Sequence, residues 1–356
     1  MHKNKIKLTV FAFFCISVSL SGYLGWSYAD AVPETEVSTA GIGEDTVLVG
    51  GMPAGIYMET DGVLVLDTQR IQGVDGQEKE PAKNLVKAGD YIVGMNGNPI
   101  FDKKDLTDIL NGLEGNEVVL KLRRSGEFLE VKTEAVECTP DEYKLGIWVR
   151  DNVQGLGTIT FLTGSSRFGA LGHGIHDTDT GVLMDVEGGS LYKTSIRSVV
   201  KGEHGLPGSM EGLIVYNNYN RIGEVDKNTE AGIYGKIDKI DEIFKEQIPM
   251  QIAKKEEIKP GDATIRCFLE GEIREYEVRV TDVDYNVGEI NKGIVLQVTD
   301  PELLDETGGI IQGMSGSPIL QNGKLIGAVT HVFVNDPTKG YGIFAEKMLE
   351  QCENPT

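Results

Sequence analysis

The chain has 356 residues and a formal net charge of −21. That length admits two or three domains with real cores, and the acidic balance argues against a nucleic-acid partner and otherwise serves solubility. Forty-five glycines with only 7% aromatic residues predict many turns and short strands.

At the N-terminus, Lys3, Lys5 and Lys7 precede a 17-residue, mostly apolar run from Leu8 to Leu24, interrupted by Ser17, Ser19 and Ser21. Positive charge ahead of an apolar segment fixes its cytoplasmic side. The run is marginal for a spanning helix and long for the core of a signal peptide, and Ala29-Asp30-Ala31 offers a small-x-small cleavage site. A cleaved signal and a retained anchor over residues 1–31 are both compatible with this pattern. In either case the rest of the chain is translocated. Cys15 belongs to the apolar run, and residues 32–44 read as a polar linker.

The pattern then tightens. Gly55–Met58 and Gly62–Leu66 are strand-like, Pro81–Ala88 a short helix, and Tyr91–Gly97 a strand and turn. Leu106, Ile109 and Leu110 share one face of a helix over Asp102–Leu110, and Val118–Arg123 and Phe128–Thr133 form a hairpin about Ser125-Gly126. This order, with Ala88-Gly89-Asp90-Tyr91-Ile92 followed by Asn96-Gly97, resembles bacterial PDZ domains and implies a PDZ-like α/β domain over 45–136. Such domains take an extended peptide as an added strand. The resemblance implies that Ala54, Gly55 and Ile56 receive the peptide carboxylate, opposite a helix beginning near Lys103. The competing reading is a spacer domain without a ligand.

Residues 137–144 read as a polar hinge. From 145 to 356 the chain is a series of short strands at the spacing of a sandwich or paired barrels, closed by a helix at Glu346–Gln351. Cys138, Cys267 and Cys352 have neither metal-ligand spacing nor a disulfide framework, although one pair is possible. His173-x-x-His176-Asp177 lacks the further ligands of a metal site, so no metal and no cofactor are expected.

Two stretches carry chemistry. Phe168–Ile175 is an apolar strand end opening into glycine, which suits a histidine, His173, at the rim of a cleft. Gly313-Met314-Ser315-Gly316-Ser317-Pro318 lies between apolar segments, in the Gly-x-Ser-Gly-x-Pro pattern of chymotrypsin-like serine peptidases. Glycine permits the sharp turn that pushes a serine hydroxyl outward and lets backbone N–H groups converge on an oxyanion. Gly313 N–H and Ser315 N–H are the candidate donors. Serine needs a base, and His173 and His331 are the rivals. The order of His173 before Ser315 fits two barrels with a cleft between them.

The runs Gly169–Ile175, Gly308–Pro318 and Gly327–Pro337 together resemble the stage IV sporulation protein B (SpoIVB-type) peptidases of endospore-forming bacteria, over nearly the whole chain. The resemblance implies a mainly β fold: a membrane or signal segment, a PDZ-like domain, and a chymotrypsin-like double β-barrel over 145–356. It implies a serine endopeptidase in which Ser315 attacks, His173 is the base and Asp300 orients it. Asp177, Asp185, Asp226 and Asp305 are rivals of Asp300. The resemblance further implies translocation across the forespore membrane into the intermembrane space, anchored until any N-terminal self-cleavage. The implied substrate is a membrane-bound regulator of an intramembrane metalloprotease that processes a mother-cell sigma factor. Two alternatives stand beside it. One is a PDZ adaptor with a retired peptidase domain, which the intact serine loop disfavours. The other is an esterase, which the missing nucleophile elbow disfavours.

Overall fold

Two strands of 16 residues each, Pro53–Thr68 and Ile147–Leu162, dominate the first half of the molecule. They pair antiparallel from Thr158 opposite Pro53 to Ile147 opposite Thr68. The structure, a computed structural model, describes residues 45–353 apart from residue 287, so the expected signal segment and linker lie outside the described residues.

One end of this long pair belongs to a barrel. Ile147–Leu162 pairs with Arg167–Ala170, which pairs with Gly232–Ile237 and so to Arg221–Thr229. Val186–Val200 then joins Arg221–Thr229 back to Pro53–Thr68 and closes a six-stranded ring. Ile56, Met58, Ile159, Phe168, Leu191 and Ile233 fill it. The second barrel is also closed and six-stranded, running Gly261–Leu269, Glu272–Val283, Ile294–Val298, Asp336–Phe344, Lys324–Phe333 and Pro318–Gln321. Its alternation is plain in Glu272–Val283, where Tyr276, Val278 and Val280 point inward and Glu275, Glu277 and Arg279 outward. The fold is therefore the mainly β, chymotrypsin-like double barrel expected from the sequence.

The other end of the long pair belongs to the PDZ-like domain. Val63 and Leu64 pair with Ile92 and Tyr91, and the sheet continues through Glu117–Arg124 to Glu127–Glu134. A helix over Lys103–Asn111 covers it, capped where the Asp102 carboxylate accepts from Asp105 N–H. The domain is thus inserted between two passes of the first barrel, and the breaks expected at 136 and 145 do not appear. Residues 53–60 are barrel strand, and Ile147–Arg150 pairs with the PDZ strand. The two strand-like runs expected at Gly55–Met58 and Gly62–Leu66 are one strand, which bends where Gly62 takes φ +83° and carries on. The expected hinge is a hairpin of Val136–Thr139 with Glu142–Lys144, and Pro81–Ala88 forms turns rather than a helix.

Strand Thr46–Val49 and the C-terminal helix Ala345–Glu353 seal the two barrels. Val47, Val49, Phe161, Leu325, Ile343 and Met348 share one buried cluster. All three described cysteines are free, so the pair left open by the sequence is not formed.

Candidate active site

Ser315 sits where the barrels meet. The first barrel grips the serine loop from one side: Thr158 N–H donates to Ser315 O at 2.9 Å, and the Thr158 and Thr160 hydroxyls donate to Gly313 O (2.8 Å) and Gly316 O (2.7 Å). From the second barrel, Gly316 N–H donates to Val329 O at 2.7 Å. Gly316 has φ +94°, and a Cβ there would lie 2.0 Å from Thr158 O and 2.6 Å from Leu171 N. Only glycine lets the segment carrying His173 pack so closely on this turn. Met314 N–H donates to Ile311 O at 3.1 Å, whereas Gly313 N–H and Ser315 N–H meet no acceptor among the described residues. The two N–H groups expected to form an oxyanion hole are the two the loop leaves unused. Ser315 Oγ donates to Thr330 O at 2.8 Å, and no hydrogen bond joins it to an imidazole. Ser317, two residues on, is fully buried and its hydroxyl has no partner among the described residues.

His173 follows Leu171 and Gly172, both at positive φ. Its Nδ1 lies 2.9 Å from Gly174 O. A carbonyl only accepts, so Nδ1 carries the proton and Nε2 keeps its lone pair. Burial lowers the basicity of His173; the Gly174 carbonyl opposes that and His176 adds to it. His331 faces it from the second barrel, ring centroids 4.9 Å apart. Although His331 keeps solvent contact, desolvation of its ring, His173 and Lys292 push it down to about 4.

The structure does not bring Asp300 to His173. Its Oδ1 accepts from Glu302 N–H (2.9 Å) and Leu303 N–H (3.1 Å), capping the helix Pro301–Thr307, and its Oδ2 accepts from Glu277 N–H at 3.1 Å. The Asp-Pro-Glu run is a helix start, with Pro at the first turn where its missing N–H costs nothing. Asp177 does not reach the imidazole either. Its buried carboxylate accepts from Asp179 N–H, Thr180 N–H and the Thr180 hydroxyl, and pairs with Arg150. Asp185 pairs with Arg123, Asp226 with Arg167 and Asp305 with Lys201.

Ala54, Gly55 and Ile56 are corrected as well. They lie in the first barrel, Gly55 between Leu156 and Tyr192, and a Cβ on Gly55 would meet the Ile214 side chain at 2.7 Å. The groove of the PDZ-like domain is elsewhere: a cleft of about 230 Å³ between helix Lys103–Asn111 and the start of Ile147–Leu162. Leu106, Thr107 and Leu110 form one wall, and Leu145, Gly146 and Ile147 the other. Gly146 has φ +65°, as a turn feeding a free strand edge requires, and over Ile147–Gly157 only Pro53–Thr68 pairs with this strand among the described residues. The signal was the Leu-Gly-Ile run at 145–147, which sequence reasoning assigned to the following domain. The helix expected near Lys103 does begin there.

Two closed β-barrels with a serine turn and a histidine at their junction define a chymotrypsin-like serine peptidase, here carrying a PDZ-like insertion. The model of the SpoIVB peptidase S55 family matches residues 141–349, and the chain belongs to that family; it is a serine endopeptidase. Among solved structures it is similar to the Rv3671c protease from M. tuberculosis in its active form (12% identity, 58% of this chain and 77% of that chain, TM-score 0.33). It is also similar to the HtrA-type protease AlgW with decapeptide (11% identity, 85% of this chain and 63% of that chain, TM-score 0.29). A third likeness is to the PDZ domain of the SdrC-like protein from Listeria monocytogenes (20% identity, 25% of this chain and 87% of that chain, TM-score 0.20). No curated protein matches the chain.

Proposed function

We propose that Ser315 is the nucleophile and His173 the base of this endopeptidase. The observation that carries the assignment is the pair of unused N–H groups, Gly313 and Ser315, in a serine turn that the first barrel holds by three hydrogen bonds. Ser315 Oγ leaves Thr330 O when substrate enters, gives its proton to His173 Nε2 and attacks the scissile carbonyl. The two N–H groups take the oxyanion, and His173 returns the proton to the leaving amine. In unliganded sites such hydrogen bonds are commonly unformed. Labelling with a fluorophosphonate tests the assignment. Wild-type protein labels, Ser315→Ala does not, and His173→Ala labels far more slowly. Undiminished labelling of Ser315→Ala refutes it.

The finer role rests on the family and on the lysine-led apolar run at residues 3–24. The peptidase is exported from the forespore and works in the intermembrane space, tethered until it cuts itself. Its substrate is a membrane-bound regulator of an intramembrane metalloprotease, whose release leads to processing of a mother-cell sigma factor. The cleft beside Gly146 takes a peptide as an added strand and delivers the substrate. Loss of regulator cleavage in sporulating cells expressing Ser315→Ala, at normal protein level, is the expected result; intact cleavage would remove this role.

A further inference from the structure

A neutral histidine base needs a partner on its far nitrogen, and no carboxylate supplies it here. Among the described residues, Nδ1 of His173 meets only the carbonyl of Gly174. That carbonyl belongs to the Gly174–Ile175 peptide, and the other half of the same peptide is the Ile175 N–H. Ile175 N–H donates to Asn228 Oδ1 at 2.8 Å. The Asn228 amide nitrogen donates to Ile175 O and to Met184 O, both at 2.9 Å. One side chain therefore reads three backbone groups of the turn that follows the base.

Nothing else in the turn is slack. A Cβ on Gly174 would lie 2.3 Å from Leu183 Cδ1 and 2.7 Å from Thr229 O, so the peptide is pressed against its neighbours. Met184 N–H donates to Ile175 O at 3.1 Å, and His176 bridges Leu183, which makes residues 175–184 a short hairpin. His176 Nδ1 also approaches Gly174 O, at 3.2 Å, while its Nε2 faces Glu230 at 3.3 Å. A carbonyl oxygen has two lone pairs, so the approach of His176 leaves one for Nδ1–H of His173.

We infer that Asn228 is the positioning residue of the catalytic base, acting through the Gly174–Ile175 peptide in the place a triad carboxylate holds elsewhere. Two effects follow. Drawing on Ile175 N–H polarises the peptide, so Gly174 O becomes a better acceptor for Nδ1–H when the ring gains its second proton from serine. Holding Ile175 and Met184 together also fixes where that carbonyl points, and with it the tautomer and tilt of the ring. Asn228 touches neither substrate nor reacting atoms. The inference rests on His173 as the base and Ser315 as the nucleophile.

The test uses the full chain and a short soluble peptide, with folded fraction measured by circular dichroism and thermal unfolding. Asn228→Ala is expected to lower kcat by about a hundredfold, the scale of a base displaced by about an ångström, with KM within about threefold. The acidic limb of kcat/KM moves to lower pH, because the imidazolium has lost part of its support. Asn228→Asp keeps an acceptor for Ile175 N–H and loses the two amide donations. It is expected to recover at least about tenfold of kcat over Ala, and to move the acidic limb to higher pH as its charge favours the imidazolium. Both variants lose thermal stability, so stability alone does not decide. Wild-type kcat and pH limb in folded Asn228→Ala, or Asn228→Asp no better than Ala, would overturn the inference. Should Ala fail to fold, Asn228→Asp decides by itself: kcat within about tenfold of wild type with the limb raised supports the relay, and a lower kcat or an unmoved limb rejects it. Ser315→Ala is run alongside. If it stays active, the nucleophile assignment has failed; if it is dead while Asn228→Ala is fully active, only the Asn228 inference has.

Discussion

Asp300→Asn separates two accounts of the site by several powers of ten. An aspartate that orients the base costs about 10⁴ in turnover when changed to asparagine, because the imidazole then settles in the wrong tautomer. That is about 5.4 kcal/mol of barrier. In the structure Asp300 is a helix cap instead, and its three hydrogen bonds go to Glu302 N–H, Leu303 N–H and Glu277 N–H. Asparagine is as good a helix cap as aspartate through its one carbonyl oxygen, so Asp300→Asn should keep the two cap bonds and lose the Glu277 N–H bond, which an amide nitrogen cannot accept, together with the helix-dipole contribution of the charge, about 0.3–1 kcal/mol. Asp300→Ala should lose about 1–2 kcal/mol with the cap, which lowers the melting temperature by a few degrees in a chain this large. The helix is short and leads directly into the serine loop, where the Thr307 hydroxyl lies between two acceptors for its one proton, Leu303 O (2.8 Å) and Gly309 O (2.6 Å). Some loss of kcat in the alanine variant is therefore expected through that loop. The assay is hydrolysis of a soluble peptide by purified, folded protein, with thermal unfolding of the same samples. Near-normal kcat for Asp300→Asn is expected. A fall of about 10⁴ at an unchanged melting temperature would refute the structural account and return Asp300 to the base.

Ser317→Ala removes a buried hydroxyl that has no partner, so activity should persist and stability should hold or rise by about 1 kcal/mol in chemical denaturation; Ser315→Ala should be dead. Thr107→Trp fills the cleft beside Gly146 from an exposed position, and should impair cleavage of the natural protein substrate while sparing a short peptide. A bulky residue at Gly55 instead strikes the Ile214 side chain packed against that barrel strand and should harm both substrates alike, with a lower melting temperature as the check. His173 acts as a neutral base and burial lowers its affinity for protons, so the acidic limb of kcat/KM should fall below the ordinary histidine value of about 6.5. His331 is pushed down to about 4, so between that value and about 6.5 the unfolded chain binds more protons than the native one, and stability should rise with pH across the window.

What was legible in the sequence was local. The serine turn is spelled by Gly313, Ser315 and Gly316, and the N–H groups it leaves free follow from the same few residues. The strand series gave the paired barrels because alternation survives in segments such as Glu272–Val283. Features held between distant segments were not legible. Asn228 reaches a peptide more than fifty positions earlier in the chain, and no short-range pattern marks it. Asp300 followed the resemblance when its own neighbours, Pro301 and Glu302, spell a helix cap. The cleft of the PDZ-like domain was misplaced because Leu145-Gly146-Ile147 lies beyond the point where the chain had left the expected domain, and nothing local shows it returning to the PDZ sheet.

The two long strands have a consequence for the order of folding. To close the first barrel, Glu59 and Asn152 must meet across about 90 intervening residues, a loop whose closure entropy alone is roughly 4 kcal/mol. Those residues are the PDZ-like domain. Once it has folded, Val65 lies opposite Val149 and Leu64 opposite Arg150, and the barrel halves of the same strands continue a ladder already begun. The insertion is in this sense a clasp, turning a distant encounter into the zipping of adjacent residues. A chain whose insertion could not fold would have a barrel that is slow to form even where it is stable once formed, and weakening the core of the insertion at Leu120 should slow refolding of the whole peptidase.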